Sequence, residues 1–344
     1  MAELSASGPG AGPGAAGRGG AAGAAGRGAG RDPAAPATPA ADPADFAAVS
    51  AAEAAAIDAR AEAAAVAAQL RAARLGPAFW APLCWLALVA GLALAAPWLG
   101  LAPADQIDWM AIAAAPGTEG HVLGTDHLGR DLLSRLVWGA RVSLTVGLAA
   151  PAIGVGLGLI LGIAAGYFRG WIDEVVGVAV DAWLAIPGLV ILLLFSALFG
   201  GSLWMVCLSL GLLFIPTAAR IARAATIRWA GAEFVTAARA MGASDLRIMT
   251  REILPNITWP MTAFVLVDIP IAIVIEGALS FLGLSVRAPT PSWGGMIAEG
   301  RELLESAPHI ALIPTAAMFL TVLSFNLVGD AVRRRLAGDR AGAI

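Results

Sequence analysis

Residues 233–256 read EFVTAARAMGASDLRIMTREILPN, and here small and charged residues interrupt an otherwise apolar chain. The spacing predicts a short helix that ends near Gly242, followed by a second short helix that Ser244 or Asp245 can cap. Pro255 then marks the start of the next apolar segment. Such a hairpin either docks into a groove of a partner protein or only links two spans. The spacing alone favours the simple link.

Apolar segments on both sides of this hairpin are long enough to cross a lipid bilayer. Of the 344 residues, 58% are apolar and 14% charged, whereas a soluble domain carries roughly 25% charged residues. The mean hydropathy is +0.77. This composition excludes a soluble globular enzyme and predicts an all-α, polytopic membrane protein. The six predicted transmembrane helices lie at residues 78–104, 142–168, 177–199, 203–220, 259–282 and 310–329.

The ionisable and sulfur-bearing residues exclude several kinds of chemistry. All 22 basic residues are Arg, so the chain has neither the Lys of a phosphate-binding loop nor one for a Schiff base. The net charge of −3 indicates no nucleic-acid partner. His121, His127 and His309 lack metal-ligand spacing, and Cys84 and Cys207 lie in apolar runs without a disulfide framework.

The chain divides into four parts by composition. They are an Ala/Gly/Pro-rich disordered tail ending in an Ala-rich helix (1–75), a first span with an outer amphipathic segment (76–140), the main membrane domain (141–333) and a C-terminal tail (334–344). Among the arginines near the spans, twelve fall on the side of the hairpin and both termini, and five fall on the other side. The positive-inside rule therefore predicts that both termini are cytoplasmic.

Three polar or small-residue patterns accompany the spans. Residues 128–138 are amphipathic and predict a helix lying in the membrane interface. A stripe of glycines at every fourth position predicts close helix packing, within the bundle or between subunits. These are Gly154, Gly158, Gly162 and Gly166. Asp268 and Glu276 lie inside the fifth span, facing either a transport pathway or a neighbouring helix.

The hairpin resembles the signature loop of ABC-importer membrane subunits, in which Glu-Ala-Ala, three residues, Gly, a longer gap and Leu-Pro mark a coupling helix. This chain has Thr236 in place of the family's Glu, and the remaining motif residues are in register. The resemblance implies that the loop lies in a cleft of an ATP-binding subunit and transmits its closure to the membrane helices. The candidate coupling residues are Glu233, Thr236, Ala237, Ala238, Gly242, Asp245, Leu254 and Pro255.

Further segments resemble the dipeptide, oligopeptide and nickel permeases, and within them the C-type subunit. They are GTDHLGRD (124–131) with GARVSL (139–144), EGALSFLGL (276–284) with PTPSWG (289–294), and FNLVGD (325–330). The resemblance covers about residues 76–333. It implies the type I ABC importer permease fold in a bacterial inner membrane, with residues 141–333 as the permease domain.

The same resemblance implies the partners and the activity. The expected partners are a second homologous permease subunit, two ATP-binding subunits and an extracytoplasmic substrate-binding protein. ATP and Mg would be used by the ATP-binding subunits, so this chain is not expected to be an enzyme or to hold a cofactor, a metal or a catalytic residue. The expected cargo is a di- or oligopeptide. The alternatives are nickel-chelate import by the same architecture and a proton-coupled secondary transporter that uses Asp268 and Glu276.

Overall fold

The computed structural model describes residues 77–341, and this part of the chain consists of helices and loops without an extended β-strand. The predicted tail at residues 1–75 lies outside the described residues. The helices are α1 (Pro77–Ala95), α2 (Leu132–Phe168), α3 (Gly170–Ala185), α4 (Gly188–Phe199), α5 (Leu203–Ala230), α6 (Glu233–Ala240), α7 (Leu254–Phe281), α8 (Trp293–Gly300) and α9 (His309–Ala341).

Five helical segments in the described part are long and apolar enough to cross a membrane, and the pair α3–α4 forms a sixth if it is counted as one span. The first, second, fourth, fifth and sixth predicted spans are thus present as helices. The last helix continues past Asp330 to Ala341, so the predicted C-terminal tail begins as helix. The all-helical, multi-pass architecture is confirmed.

The third predicted span, 177–199, is not a straight helix. The chain bends by 84° between α3 and α4, where Ile186 is extended and Pro187 precedes the first turn of α4. Proline disfavours a helical conformation in the residue before it and cannot donate the next helical hydrogen bond. The third predicted span is therefore divided into two helices at Ile186 and Pro187.

The amphipathic stretch at residues 128–138 is not a separate interfacial helix. From Leu132 onward it forms the first turns of α2, which runs unbroken for 37 residues. Asp131 caps this helix by accepting a hydrogen bond from the Ser134 N–H (2.8 Å). Arg130 and Arg135, which lie off the apolar face of this stretch, are only 4% and 2% exposed. The prediction was wrong because both guanidinium groups have carboxylate partners inside the protein.

The central helix of the bundle is α2. Its most extensive packing is with α5, and it also packs on α7, while α9 packs on α1 and α7. This order places two sets of connections at opposite ends of α2. We call them the loop end (residues 96–131 and 282–308) and the hairpin end (residues 231–253, hereafter the hairpin).

Candidate functional site

The hairpin has the local geometry that its sequence predicts. Gly242 has φ of +80°, a conformation that glycine adopts readily. The Gly242 N–H donates to the carbonyl of Arg239 and the Ala243 N–H to that of Ala238, both at 3.0 Å, which is the Schellman pattern of a helix end. Ser244 then accepts a hydrogen bond from the Arg247 N–H (3.4 Å) and caps the second arm.

The second arm differs from the prediction in one respect. The turn at Asp245–Arg247 continues through a π-helical turn, Ile248–Ile253, directly into α7. The Leu254 N–H donates to the carbonyl of Met249, five residues back. Pro255 lacks an N–H, and a widened turn beside it tolerates the missing α-helical bond. The expected separate short helix is therefore one end of the long membrane helix, with Leu254 and Pro255 in the first turn of α7.

The inner face of the hairpin is an apolar cluster shared with the membrane helices. Val235 and Ala238 of α6 pack with Ile248 and Ile253, and Ile163 of α2 completes the contact. The family resemblance made both Ala237 and Ala238 candidate coupling residues. Ala238 is instead buried within this chain, and only Ala237 of the pair lies at the surface.

The outer face of the hairpin exposes large apolar side chains. Met241 is 82% exposed, Leu246 67% and Phe234 37%. Glu233 and Thr236 lie on the same exposed side of the chain. The Thr236 hydroxyl bonds only to the carbonyl of Ala232, at 3.4 Å.

One polar contact that the sequence did not predict joins the hairpin to α2. The Tyr167 hydroxyl donates to Asp245 Oδ1 (2.6 Å) and accepts from Arg239 Nη2 (3.2 Å). The Arg239 guanidinium also lies 5.6 Å from the centre of the Tyr167 ring. Tyr167 is the only tyrosine of the chain, which is the one sequence signal that could have drawn attention to it.

The structure places the glycine stripe of α2 against α5, inside the bundle. A Cβ atom added at Gly154, Gly158 or Gly162 would lie 2.5 Å from an atom of α5, and at Gly166 it would lie 2.7 Å away. The two backbones therefore approach closely along four turns of α2. Of the two roles open from the sequence, the geometry fits packing within the bundle.

The two carboxylates of α7 have different surroundings. Glu276 is 1% exposed and accepts hydrogen bonds from three serines: Ser143 of α2 (3.1 Å), Ser280 (2.7 Å) and Ser285 (2.8 Å). It therefore links α2 to α7 and to the loop that follows. Asp268 is 4% exposed, and its Oδ2 has no hydrogen-bond partner among the described residues.

At the loop end, a group of four charges, three of them buried and Glu299 28% exposed, links the 96–131 segment to α2 and α8. Asp126 Oδ2 lies 2.6 Å from Arg130 Nε and 3.2 Å from Arg135 Nε. Glu299 Oε2 lies 2.9 Å from an Nη2 atom of each arginine. With His127, these carboxylates offer three ligand atoms within 4.8 Å of one another. Because the two arginines already neutralise both carboxylates, the group favours an ion-pair network over a metal site.

Next to this network, His121 bridges two carboxylates. Its Nδ1 lies 2.9 Å from Asp131 Oδ1 and its Nε2 lies 3.5 Å from Asp108 Oδ2. The hydrogen bond to Asp131 raises the pKa of His121 above its ordinary value of 6.5. The pKa of Asp108 is lowered by the Met110 N–H and then by His121. Since Asp131 also caps α2, its hydrogen bond with His121 joins the 96–131 segment to the start of that helix.

These features define a class of protein. Long apolar helices that expose Ile160, Val178 and Leu198 on their outer faces and pack closely against one another are typical of a multi-pass membrane protein. Residues 158–340 match the family described as binding-protein-dependent transport system inner membrane component. The chain belongs to this family.

Its relatives carry related descriptions. The chain is 38% identical over 216 residues to the glutathione transport system permease protein GsiD of Pectobacterium atrosepticum, covering 63% of this chain and 72% of the relative. It is also 38% identical, over 73% of this chain and 84% of the relative, to a Brucella suis protein provisionally described as a peptide transport system permease. The inward-facing methionine ABC transporter MetNI matches with a TM-score of 0.47 and 18% identity, over 59% of this chain and 97% of that one.

Family membership confirms the resemblance to ABC-importer permeases. The chain is a multi-pass inner-membrane component of such a transporter, and ATP hydrolysis belongs to separate subunits. An ATP-binding subunit and a substrate-binding protein are therefore its partners in transport. Thr236 occupies the position of the family's Glu. The hairpin forms without an ion pair from that position, and the Thr236 hydroxyl bonds to the carbonyl of Ala232.

Proposed function

We propose that this permease, paired with a second homologous permease and two ATP-binding subunits, imports di- or oligopeptides. The support for a peptide cargo comes from the relatives, whose descriptions name glutathione, a peptide, and peptide transport. ATP and Mg act in the ATP-binding subunits. The binding protein delivers the peptide to the outer side of the permease pair.

The orientation follows from the distribution of arginines. Eleven arginines within residues 77–341 lie toward the hairpin end: Arg169, Arg220, Arg223, Arg228, Arg239, Arg247, Arg251, Arg333, Arg334, Arg335 and Arg340. Five lie toward the loop end, and two of these are neutralised in the buried ion-pair network. The positive-inside rule then puts the hairpin end and both termini in the cytoplasm. The loop end faces the binding protein.

The observation that carries the proposal is the exposed apolar surface of the hairpin. Met241, Leu246 and Phe234 are exposed on the hairpin, between α5 and α7, at the end that the positive-inside rule assigns to the cytoplasm. An exposed apolar patch on a soluble face marks a protein-interaction site. The buried inner face holds the hairpin in one shape, which suits a rigid element that fits a groove on an ATP-binding subunit.

Such an element can convert ATP binding into a conformational change. When the ATP-binding subunits close, the hairpin of each permease moves with its groove. Each hairpin is covalently continuous with α7 and follows α5 directly, so its displacement moves both helices. The cavity between the two permeases then changes from inward-facing to outward-facing and receives the peptide.

ATP hydrolysis by the reconstituted complex tests this function. The complex that co-purifies with this chain would be placed in lipid with its binding protein and given dipeptides, longer peptides, glutathione or nickel chelates. Stimulation of hydrolysis by a peptide class supports the proposal. Stimulation by nickel chelates alone would reassign the cargo. Uptake that a protonophore abolishes, with no ATPase co-purifying, would favour proton coupling through Asp268.

Two matched substitutions test the docking surface. Met241→Glu puts a charge on the exposed hairpin, and Met110→Glu does the same at the loop end, where the side chain is 95% exposed. We expect Met241→Glu to lower the amount of bound ATP-binding subunit and the uptake by about tenfold or more, as for a central interface residue. Met110→Glu should leave ATPase binding unchanged. Equal ATPase binding in both variants would contradict the docking role.

A further inference from the structure

We propose that Tyr167 is a positioning residue for transport: its hydroxyl clamps both arms of the hairpin to α2, so that displacement of the hairpin moves α2. This inference rests on the proposed coupling role of the hairpin. It adds a third route of transmission, because α5 and α7 are joined to the hairpin through the backbone whereas α2 is not.

The first argument is the position of the two partners of Tyr167. Arg239 belongs to α6, the first arm, and Asp245 begins the second arm. A single oxygen atom accepts from one and donates to the other, at 3.2 Å and 2.6 Å. Because the arms lie on either side of the turn at Gly242, a bond to only one of them would leave the other arm in contact with α2 through apolar side chains alone. The shared hydroxyl fixes both arms relative to α2.

The second argument is that, among the described residues, no other side-chain hydrogen bond joins the hairpin to α2. Within residues 77–341, the other side-chain hydrogen bonds of the hairpin run to its own backbone or along the helix that continues into α7. The apolar cluster around Ile248 also contacts α2. Apolar contacts permit sliding, whereas two directed hydrogen bonds, one to a charged carboxylate, set the angle between the elements.

The third argument is what α2 is attached to. Its glycine stripe holds it against α5 along four turns. At the opposite end Ser143 bonds to Glu276, and Arg135 joins the buried ion-pair network with Glu299. As one helix of 37 residues, α2 is about 55 Å long. A displacement of α2 at Tyr167 is therefore transmitted to α5, α7 and the loop end through one continuous helix.

The test measures uptake per ATP hydrolysed in the reconstituted complex with its binding protein. Tyr167→Phe keeps the ring and its packing and removes both hydrogen bonds. We expect normal amounts of assembled complex and normal basal hydrolysis, with uptake per ATP reduced by about tenfold or more, because both lost hydrogen bonds have a charged partner. Thr258→Val is the control, since it also removes one hydroxyl near this end, bonded only to the carbonyl of Leu254.

A double-mutant cycle with Asp245→Ala separates coupling from folding. If the two side chains act through one contact, the double variant should be no worse than the more severe single variant. Unchanged uptake per ATP in Tyr167→Phe would overturn the inference, as would additive effects. Uptake and hydrolysis falling together, in proportion to the amount of assembled complex, would also overturn it. If the unmodified complex shows no peptide-stimulated hydrolysis, the proposed function fails instead.

Discussion

Substituting Gly158 with alanine should separate α2 from α5 and destabilise the protein. The new Cβ atom would lie 2.5 Å from the Cβ of Ala218, 2.8 Å from the carbonyl oxygen of Ile215 and 2.9 Å from the Ala219 nitrogen. Ordinary van der Waals contact begins near 3.4 Å. Two of these three neighbours are backbone atoms, so rotating a side chain cannot relieve the overlap. The helices must move apart by nearly 1 Å.

The energetic cost follows from that separation. A gap of about 0.5–1 Å forfeits a quarter to a half of the dispersion attraction between facing atoms, and overpacking a core typically costs about 1–3 kcal/mol. For a chain of this size each kcal/mol corresponds to roughly 2–4 °C in melting temperature. We therefore expect Gly158→Ala to lower the melting temperature by several degrees.

Thermal melting of the purified protein in detergent micelles, followed by size-exclusion chromatography, measures this effect. Gly156→Ala is the matched control. Gly156 lies in the same helix, but a Cβ atom added there would have no neighbouring atom within 4 Å. Alanine is there the better helix former, and stability should be equal or slightly higher. The double variant Gly158→Ala/Gly162→Ala should cost less than the sum of the single ones, since one separation relieves both overlaps. Equal melting of Gly156→Ala and Gly158→Ala would refute the packing argument.

Two further predictions concern the charges at the loop end. Arg135→Ala removes one of the two arginines paired with the buried carboxylate of Asp126 and should cost about 3 kcal/mol, whereas Arg220→Ala removes an exposed pair and should cost under about 1 kcal/mol; similar melting of the two variants would argue against the ion-pair network. The raised pKa of His121 means that its bond to Asp131 is fully stabilising below the unfolded pKa of about 6.5 and is lost as the pH rises through the higher folded value. His121→Gln should therefore destabilise the protein more at about pH 6 than at about pH 9, and a difference that is constant across this range would contradict the assignment.

The lengths of the apolar runs and the local chemistry of the hairpin were readable from the sequence. A span needs a certain number of apolar residues, and that number can be counted without knowing what the helix packs against. Gly242 and Ser244 likewise act through dihedral angles and hydrogen bonds within a few residues of themselves. The family resemblance has the same origin, because its motifs are short and contiguous. For these features, neighbours along the chain supply nearly all of the physical constraint.

Features that depend on distant partners were decided by the tertiary structure. The stretch at residues 128–138 has the periodicity of a surface helix, yet Arg135 is buried because Glu299, 164 positions away, neutralises it. Ala238 is small enough for a partner to approach, but Ile248 and Ile253 cover it. The Tyr167 hydroxyl donates to Asp245, which lies 78 positions further along the chain. Burial and ion pairing depend on which helices become neighbours, and the packing of the whole bundle determines that choice.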